Sequence, residues 1–285
     1  MIRTVGIYAK KNHPAAPQLV DEICQQLQAA GVAFLLEPWL AETLKPNTPV
    51  DEKDIPRQVE LILVLGGDGT LISVARKVNG LEVPILGVNL GSLGFLTEIT
   101  RAELPDLLTA VLAGNYAISS RMMLDVTILR SGQRVECHTL LNDAVINKGT
   151  LARIIDMETR VDGEYLTTFK ADGLVVSTPT GSTGYNLAAG GPIIYPGINS
   201  LVITPICPHM LTNRPLIVSS RATISVDINF ADDVVYFTGD GQVGASLRPG
   251  DRIEICRSKA RTLLIKSPHR DYFEILRTKL SWGER

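Results

Sequence analysis

The chain has 285 residues and a formal net charge of -2, and 45% of its residues are hydrophobic. That apolar content supplies one large core or two ordinary ones, so it excludes a disordered chain. A nearly neutral chain also has no basic footprint for general nucleic-acid binding, so any anionic ligand has to be held by local groups.

The four cysteines, Cys24, Cys137, Cys207 and Cys256, are far apart and form no CxxC pair. This spacing favours reduced thiols in a cytoplasmic protein, because disulfides need an oxidising compartment. The first residues, MIRTVGIYAKK, enter a strand pattern without an apolar signal segment, and no apolar run reaches the length of a membrane span. We therefore expect neither secretion nor insertion into a membrane.

The first hundred residues alternate between strand and helix patterns. TVGIYA predicts a strand, and an amphipathic helix follows that ends at Gly31. Further strands are predicted in VAFLLEP, LILVL and VPILGVN, and a last helix in AELPDLLTAVLAG. This rhythm is typical of a parallel, doubly wound, Rossmann-like sheet. Residues 41–56 are polar and contain proline, which predicts a surface loop.

Beyond this region the hydrophobic period changes from helical to alternating. Residues 155–161 alternate apolar or Thr side chains with charged ones, and VDGE then predicts a hairpin turn. Later strands are predicted in DGLVVSTP, SLVITPI, RPLIVSS, ATISVDINF, VVYFTGDGQ and DRIEICRS. We therefore predict an α/β N-terminal domain at residues 1–100, an all-β domain at residues 101–265, and a helical tail at residues 266–285 that docks on the first domain.

Residues 61–70, LILVLGGDGT, place one carboxylate among three glycines at a strand-to-helix junction. Asp68 is thereby presented at the carboxyl end of a strand, where open α/β sheets bind their ligands. A loop formed by Gly66, Gly67, Gly69 and Thr70 is predicted to admit phosphate or ribose to the backbone. Gly-Asp-Gly also makes ordinary turns, so this stretch alone leaves a turn open.

Two further segments allow two interpretations each. GVNLGSLGFLTEI has glycines at 87, 91 and 94, a spacing that does not match the dinucleotide-binding GxGxxG pattern, so close backbone packing and ligand contact both stay open. Asn142 and Asp143 combine a donor with several acceptors, which suits a ribose diol or an amide ligand. A simple turn is the alternative for that pair.

Residues 170–192, KADGLVVSTPTGSTGYNLAAGGP, form the segment with the most functional character. A turn rich in hydroxyls and glycines can cradle phosphate through backbone N–H groups, with a linker as the alternative. Cys207 and His209 in TPICPH are expected to have a structural or ligand-lining role, because nothing nearby completes a zinc site. Asp240 in TGDGQ is expected to lie in a hairpin turn rather than in a second catalytic loop.

Taken in order, GGDGT, GxxGFLTE, ND, TPTGSTGYNLAAGGP and TPICPH followed by RP resemble the NAD kinase family. The resemblance runs from residue 1 to the C-terminal TKLSWGE, although GGDGT alone is weakly specific because diacylglycerol-type lipid kinases and phosphofructokinases carry related loops. It implies transfer of the ATP γ-phosphoryl group, with Mg²⁺, to the 2′-hydroxyl of the adenosine ribose of NAD, giving NADP.

The same resemblance implies roles for particular residues. Asp68 falls on the proton acceptor, and Gly184 departs from the family pattern, where alanine is commoner. A basic residue before ADG is similar to the NAD-preferring type, which implies NAD over NADH. The implied dinucleotide-binding residues are Asp68, Gly69, Asn142, Asp143, Arg153, Lys170, Asp172, Thr183, Gly184, Tyr185, Asn186, Leu187, Ala188 and Gln242. The resemblance assigns no metal ligands.

Members of the family are typically homo-oligomers, which implies a dimer or tetramer here, with the small molecules NAD and ATP as partners. Two other functions stay open at this stage. A lipid or other small-molecule kinase could share the GGDGT loop, but it would have no use for the Asn142 and Asp143 pair. A dinucleotide-sensing module without chemistry is the other, and the intact Asp68 argues against it. The choice between ATP and polyphosphate as donor also stays open.

Overall fold

The computed structural model describes residues 2–44, 50–149, 154–229 and 234–283. The chain forms two compact units, one made of residues 1–120 and 262–285 and the other of residues 121–261. The domain boundaries predicted from the sequence stay predictions. Among the described residues, no helix is both long and apolar enough to cross a membrane.

The strands are β1 Thr4–Ala9, β2 Ala33–Leu36, β3 Leu61–Gly66, β4 Ile85–Asn89, β5 Ile99–Thr100, β6 Ile118–Arg130, β7 Gln133–Leu140, β8 Asp143–Lys148, β9 Ile155–Val161, β10 Glu164–Ala171, β11 Gly173–Ser177, β12 Ser200–Ile206, β13 Leu216–Ser219, β14 Ile224–Asn229, β15 Val235–Gly239, β16 Val243–Leu247 and β17 Arg252–Ile265. The α-helices are α1 Ala16–Ala29, α2 Pro38–Leu44, α3 Asp68–Val78, α4 Leu104–Leu112, α5 Tyr185–Ala188 and α6 Tyr272–Leu280. Short 3-10 helices occupy Ile55–Arg57 and Gly181–Thr183.

The first unit is a parallel sheet in the order β4-β3-β1-β2. Every residue of β3 is buried, as expected for a parallel strand covered on both faces. The chain places β2 on one side of β1 and then β3 on the other, so the strand order reverses between β1 and β3. Ligands of doubly wound sheets bind at such a switch point, outside the carboxyl ends of the strands. The predicted α/β fold of the N-terminal part is confirmed.

The predicted surface loop at residues 41–56 is wrong at both ends. Helix α2 begins at Pro38 and runs to Leu44, because proline is favoured in the first turn of a helix and Leu40 is fully buried. The 3-10 helix at Ile55–Arg57 likewise buries Ile55 completely. Residues 45–49 of the predicted loop lie outside the described residues.

The C-terminal tail is helical, as predicted, and belongs to the first unit. Asp271 caps α6 by accepting a hydrogen bond from the Glu274 backbone N–H at 2.8 Å. Ile275 and Leu276 are buried on the inner face of the helix, so the tail packs on the unit that contains β3.

The second unit contains two antiparallel arrangements of strands. One sheet has the order β13-β12-β11-β8-β15-β16, and the other contains the neighbours β10-β9-β14-β17. Alternate residues of both sheets, such as Met157 and Val176, meet in one apolar cluster, which is the core of a β-sandwich. The predicted hairpin turn at VDGE is confirmed, with Asp162 and Gly163 both at positive φ between β9 and β10.

Candidate functional site

The glycine loop of the first unit lies at the switch point of its sheet. Lys10 follows β1 and donates its backbone N–H to the Leu65 carbonyl at 2.7 Å, so the ends of β1 and β3 are joined. Gly66 is required here, because a Cβ would lie 2.6 Å from Thr70 Oγ1. Gly67 precedes helix α3 in an extended conformation, and apart from its two chain neighbours no described residue has an atom within 4 Å of where its Cβ would be. Of the residues predicted to form a loop, Gly66 ends β3, Gly67 precedes α3, and Gly69 and Thr70 already lie in the first turn of α3. The segment is therefore a helix N-terminus, which favours anions.

Asp68 is the first residue of α3, and its carboxylate is held by the backbone of the segment that follows β4. Phe95 N–H donates to Oδ2 at 2.8 Å, and Leu96 N–H and Thr97 N–H donate to Oδ1 at 3.1 and 3.0 Å. A Cβ on Gly94 would overlap Asp68 Oδ1, so glycine is needed there for the close approach. The GxxG segment therefore serves backbone packing, and what it packs against is the predicted catalytic carboxylate.

Asn142 and Asp143 lie at the start of β8 in the second unit. Their backbone N–H groups, together with that of Leu141, donate to the Asp240 carboxylate at 2.7 to 3.3 Å. Asp240 stands at φ +52 in the turn between β15 and β16, so the predicted hairpin turn is confirmed. No pattern in the sequence indicates the second role of Asp240, which is to fix the Asn142–Asp143 peptide from about a hundred residues away.

The Asn142 side chain has an acceptor without a partner. Its Oδ1 is buried and accepts no hydrogen bond among the described residues. A buried acceptor without a donor is costly, so a ligand N–H or O–H at this point would be stabilised. A Cβ on Gly184 would lie 3.7 Å from Asn142 Nδ2 and 3.9 Å from Asp143 Oδ2. The segment that contains Gly184 therefore lies next to this pair.

Most hydroxyls of the segment 177–183 form internal hydrogen bonds. Ser177, Thr178 and Ser182 are fully buried, and their hydroxyls donate to main-chain carbonyls of residues 142, 141 and 179. They shape the loop and attach it to Leu141 and Asn142 rather than facing a ligand. That this segment binds a ligand stays a prediction, and the hydroxyls of Ser177, Thr178 and Ser182 have a structural task.

Asn186 is also used internally. It is fully buried, its Nδ2 donates to the Ser182 and Pro192 carbonyls, and its Oδ1 accepts from Thr204 Oγ1 at 2.7 Å. Its neighbours Gly184, Tyr185 and Ala188 are exposed, whereas Thr183 and Leu187 are half-buried. Asn186 therefore fixes the loop that presents these neighbours.

Asp172 lies at the opposite end of β8 from Asp143, and Lys170, on β10 of the other sheet, precedes it by two residues. Strand register pairs Asp143 with Ser177 and Asn147 with Gly173, so the two ends of β8 are roughly 17 Å apart at about 3.4 Å per residue. Asp172 forms an ion pair there with Lys148 at 2.8 Å, and the exposed Lys170 lies 3.4 Å from Asp156. The predicted residues thus form two groups within the second unit, one beside Asp143 and one beside Lys148, a separation that suits an extended ligand.

Three further residues were singled out in the sequence, namely Gln242, Arg153 and His209. Gln242 is exposed in the hairpin between β15 and β16, and its N–H donates to the Gly239 carbonyl. Arg153 lies outside the described residues. His209 donates its backbone N–H to the Lys170 carbonyl at 2.9 Å, in agreement with a structural role for this segment. All four cysteines are free thiols.

Burial raises the pKa of the Asp143 carboxyl. Its side chain is 4% exposed, and desolvation, followed by the negative charge of Asp240, raises the pKa of Asp143 to about 7. Because this pKa is raised above the unfolded value near 3.8, the folded state binds more protons between these two pH values. Stability contributed by the group is therefore present at low pH and is lost as pH rises toward 7.

We expect Asp143→Asn, which stays neutral, to gain stability relative to the parent as pH rises. The difference in unfolding free energy should grow by on the order of 3 kcal/mol between about pH 5 and about pH 8. Urea denaturation at the two pH values measures it. Asp106→Asn, at an exposed position on α4, is the matched control and should show no such trend. A pH-independent difference for Asp143→Asn would contradict the assignment.

The comparisons with known proteins cover the chain from end to end. The model of the ATP-NAD kinase N-terminal domain matches residues 5–116, and that of the C-terminal domain matches residues 141–267. A protein from Syntrophotalea carbinolica named NAD kinase is 56% identical over 285 residues, and one from Geotalea daltonii is 55% identical over 284, each with 100% of both chains covered.

Among solved structures, yeast NADH kinase complexed with NADH superposes with a TM-score of 0.92 at 26% sequence identity, covering 100% of this chain and 89% of the yeast chain. Both family models, the curated relatives and the fold agree with one another. The chain therefore belongs to the NAD kinase family of enzymes.

Proposed function

We propose that the protein transfers the γ-phosphoryl group of ATP to the 2′-hydroxyl of the adenosine ribose of NAD, giving NADP and ADP. In this step the hydroxyl oxygen forms a bond to the γ-phosphorus while the bond from that phosphorus to the ADP oxygen breaks. The observation that carries the proposal is the Asp68 carboxylate, fixed by three backbone N–H groups at the end of β3 and the start of α3.

Asp68 is proposed to orient the 2′-hydroxyl and to accept its proton. Phosphoryl transfer passes through a loose transition state in which the proton leaves late, so position and charge matter more than basicity. Three backbone N–H donors fix the direction of the carboxylate, which meets the requirement of position. The loop of Gly66, Gly67, Gly69 and Thr70 is proposed to receive phosphate groups.

Asn142 and Asp143 are proposed to bind the dinucleotide, with Asn142 Oδ1 accepting a hydrogen bond from it. The support is the buried Oδ1, which lacks a donor among the described residues. The exposed members of the 183–188 loop, with Asp172, Lys170, Gln242 and Arg153, are proposed as further contacts. The preference for NAD over NADH, a cytoplasmic location and a homo-oligomeric state belong to the same proposal.

The described residues fit a magnesium ion that is bound mainly through substrate phosphates. They contain no group of three or more His, Cys, Asp or Glu side chains that could hold a metal alone. Mg²⁺ in kinases commonly keeps phosphate oxygens as most of its ligands, so the phosphates of ATP would hold it beside the N-terminus of α3. When bound, the ion would neutralise charge on the phosphoryl group.

The direct test is incubation with ATP, MgCl₂ and NAD, with NADP detected by a dehydrogenase specific for it. We expect NADP to form, and to form less well with NADH as acceptor. Parallel reactions with polyphosphate identify the donor, and omission of MgCl₂ with EDTA present tests the metal. ATP consumption without NADP, together with phosphorylation of a lipid, would replace the proposal by the lipid-kinase alternative.

A further inference from the structure

Two side chains outside the sequence-predicted site form a hydrogen-bond relay that ends on Asp68. Asn89 ends β4 and is 7% exposed, and Thr97 is fully buried. Asn89 Nδ2 donates to Thr97 Oγ1 at 3.0 Å, and Thr97 Oγ1 lies 3.0 Å from Asp68 Oδ1, to which it donates. A hydroxyl has one proton, and here that proton goes to the carboxylate, so the relay has a single direction.

The two carboxylate oxygens of Asp68 accept different numbers of hydrogen bonds. Oδ1 accepts three hydrogen bonds, from Leu96 N–H, Thr97 N–H and Thr97 Oγ1. Among the described residues, Oδ2 accepts one hydrogen bond, from Phe95 N–H. Each carboxylate oxygen has about two lone-pair sites, so Oδ1 is saturated while Oδ2 retains acceptor capacity toward the described surroundings. Oδ2 is therefore the oxygen that can face a ligand.

The donors themselves are fixed by the C-terminal tail, within the same unit. Ser267 N–H donates to Glu98 Oε2 at 3.2 Å, and Arg270 donates to the Glu98 carbonyl at 3.1 Å. Lys279 Nζ on α6 lies 5.9 Å from the centroid of the Phe95 ring. These contacts restrain residues 95–98 and hence the direction of the N–H groups that bind Asp68.

We propose that Thr97, oriented by Asn89, is a positioning residue that fixes the plane of the Asp68 carboxylate so that Oδ2 faces the reacting hydroxyl. The inference rests on the proposed function. Without the Thr97 hydroxyl, the Asp68 carboxylate keeps its three backbone N–H donors but loses one of the four hydrogen bonds that resist its rotation. Small losses of alignment at a reacting group lower turnover more than they lower binding.

The test compares Thr97→Val, which has nearly the same shape without the hydroxyl, with Thr97→Ser, which keeps it. We expect Thr97→Val to lower kcat about tenfold, the scale of one hydrogen bond to a charged group, with KM for NAD and ATP within about twofold. Thr97→Ser should recover most of kcat. Thr109→Val, on the exposed face of α4, is the matched control and should leave kcat unchanged.

A double-mutant cycle with Asp68→Asn separates positioning from a general structural effect. If Thr97 acts through the Asp68 carboxylate, Thr97→Val should lower kcat no further in the Asp68→Asn background. A full additional tenfold loss in that background, or parental kcat in Thr97→Val alone, would overturn the inference. Absence of NADP formation by the unmodified protein would instead reject the proposed function, so the two failures are distinguishable.

Discussion

Replacing Asp68 by asparagine is expected to lower kcat for NADP formation by about two orders of magnitude or more, the scale of general acid–base catalysis by a side chain. Asparagine keeps the shape but loses the negative charge and one acceptor. Either orientation of its amide points Nδ2 at a backbone N–H donor, since both carboxylate oxygens accept such bonds. The variant therefore loses charge and alignment together.

Binding should be affected much less than turnover. The thermal midpoint of Asp68→Asn should still rise on addition of NAD, because binding to the folded state raises it by mass action. Asp106→Asn is the matched control, since it makes the same change in the first turn of another helix, α4, at an exposed position. Its kcat should equal that of the parent. Turnover near the parental value in Asp68→Asn would remove the catalytic assignment.

The parts of the fold that follow from local pattern could be predicted from the sequence. A run of buried apolar residues before GGDGT predicted β3, and the alternation at residues 155–161 predicted β9 and its hairpin. The short helix α2 was missed, because polar and proline residues at 41–56 are typical of loops and the burial of Leu40 is a tertiary effect.

The sequence marks the candidate side chains of the site, but it does not mark the groups that orient them. Asp68, Asn142 and Asp143 stand out by residue type and neighbours. The groups that hold them are backbone N–H donors at 95–97 and the carboxylate of Asp240, and every residue has a backbone N–H, so no pattern of side chains marks these donors. Glycine at 94 was the one available signal, and its meaning depends on a partner 26 positions earlier.

Alanine at position 94 is expected to be nearly as damaging to catalysis as loss of the carboxylate itself. The added Cβ would overlap both Asp68 Oδ1 and Thr97 Oγ1, so the carboxylate has to leave its N–H donors or the 95–97 segment has to move. Since Gly94 is buried and its neighbours are fixed by β4 and the C-terminal tail, rotation of Asp68 is the easier response. We expect kcat to fall by on the order of a hundredfold, as when a reacting group is displaced by about an ångström.

Gly91→Ala is the matched control for that change, in the same segment and of the same size. The nearest atom to a Cβ at Gly91 is Asn89 Oδ1 at 3.9 Å, an ordinary contact, and alanine keeps the N–H that donates to this oxygen at 2.6 Å. Its kcat should stay within about twofold of the parent, because substitutions without a clash have small effects. Equal losses of kcat in Gly91→Ala and Gly94→Ala would mean that either substitution disturbs the segment as a whole, without a specific effect on Asp68. A loss confined to Gly94→Ala, with NAD still raising the thermal midpoint, is the result expected if the segment serves to align Asp68.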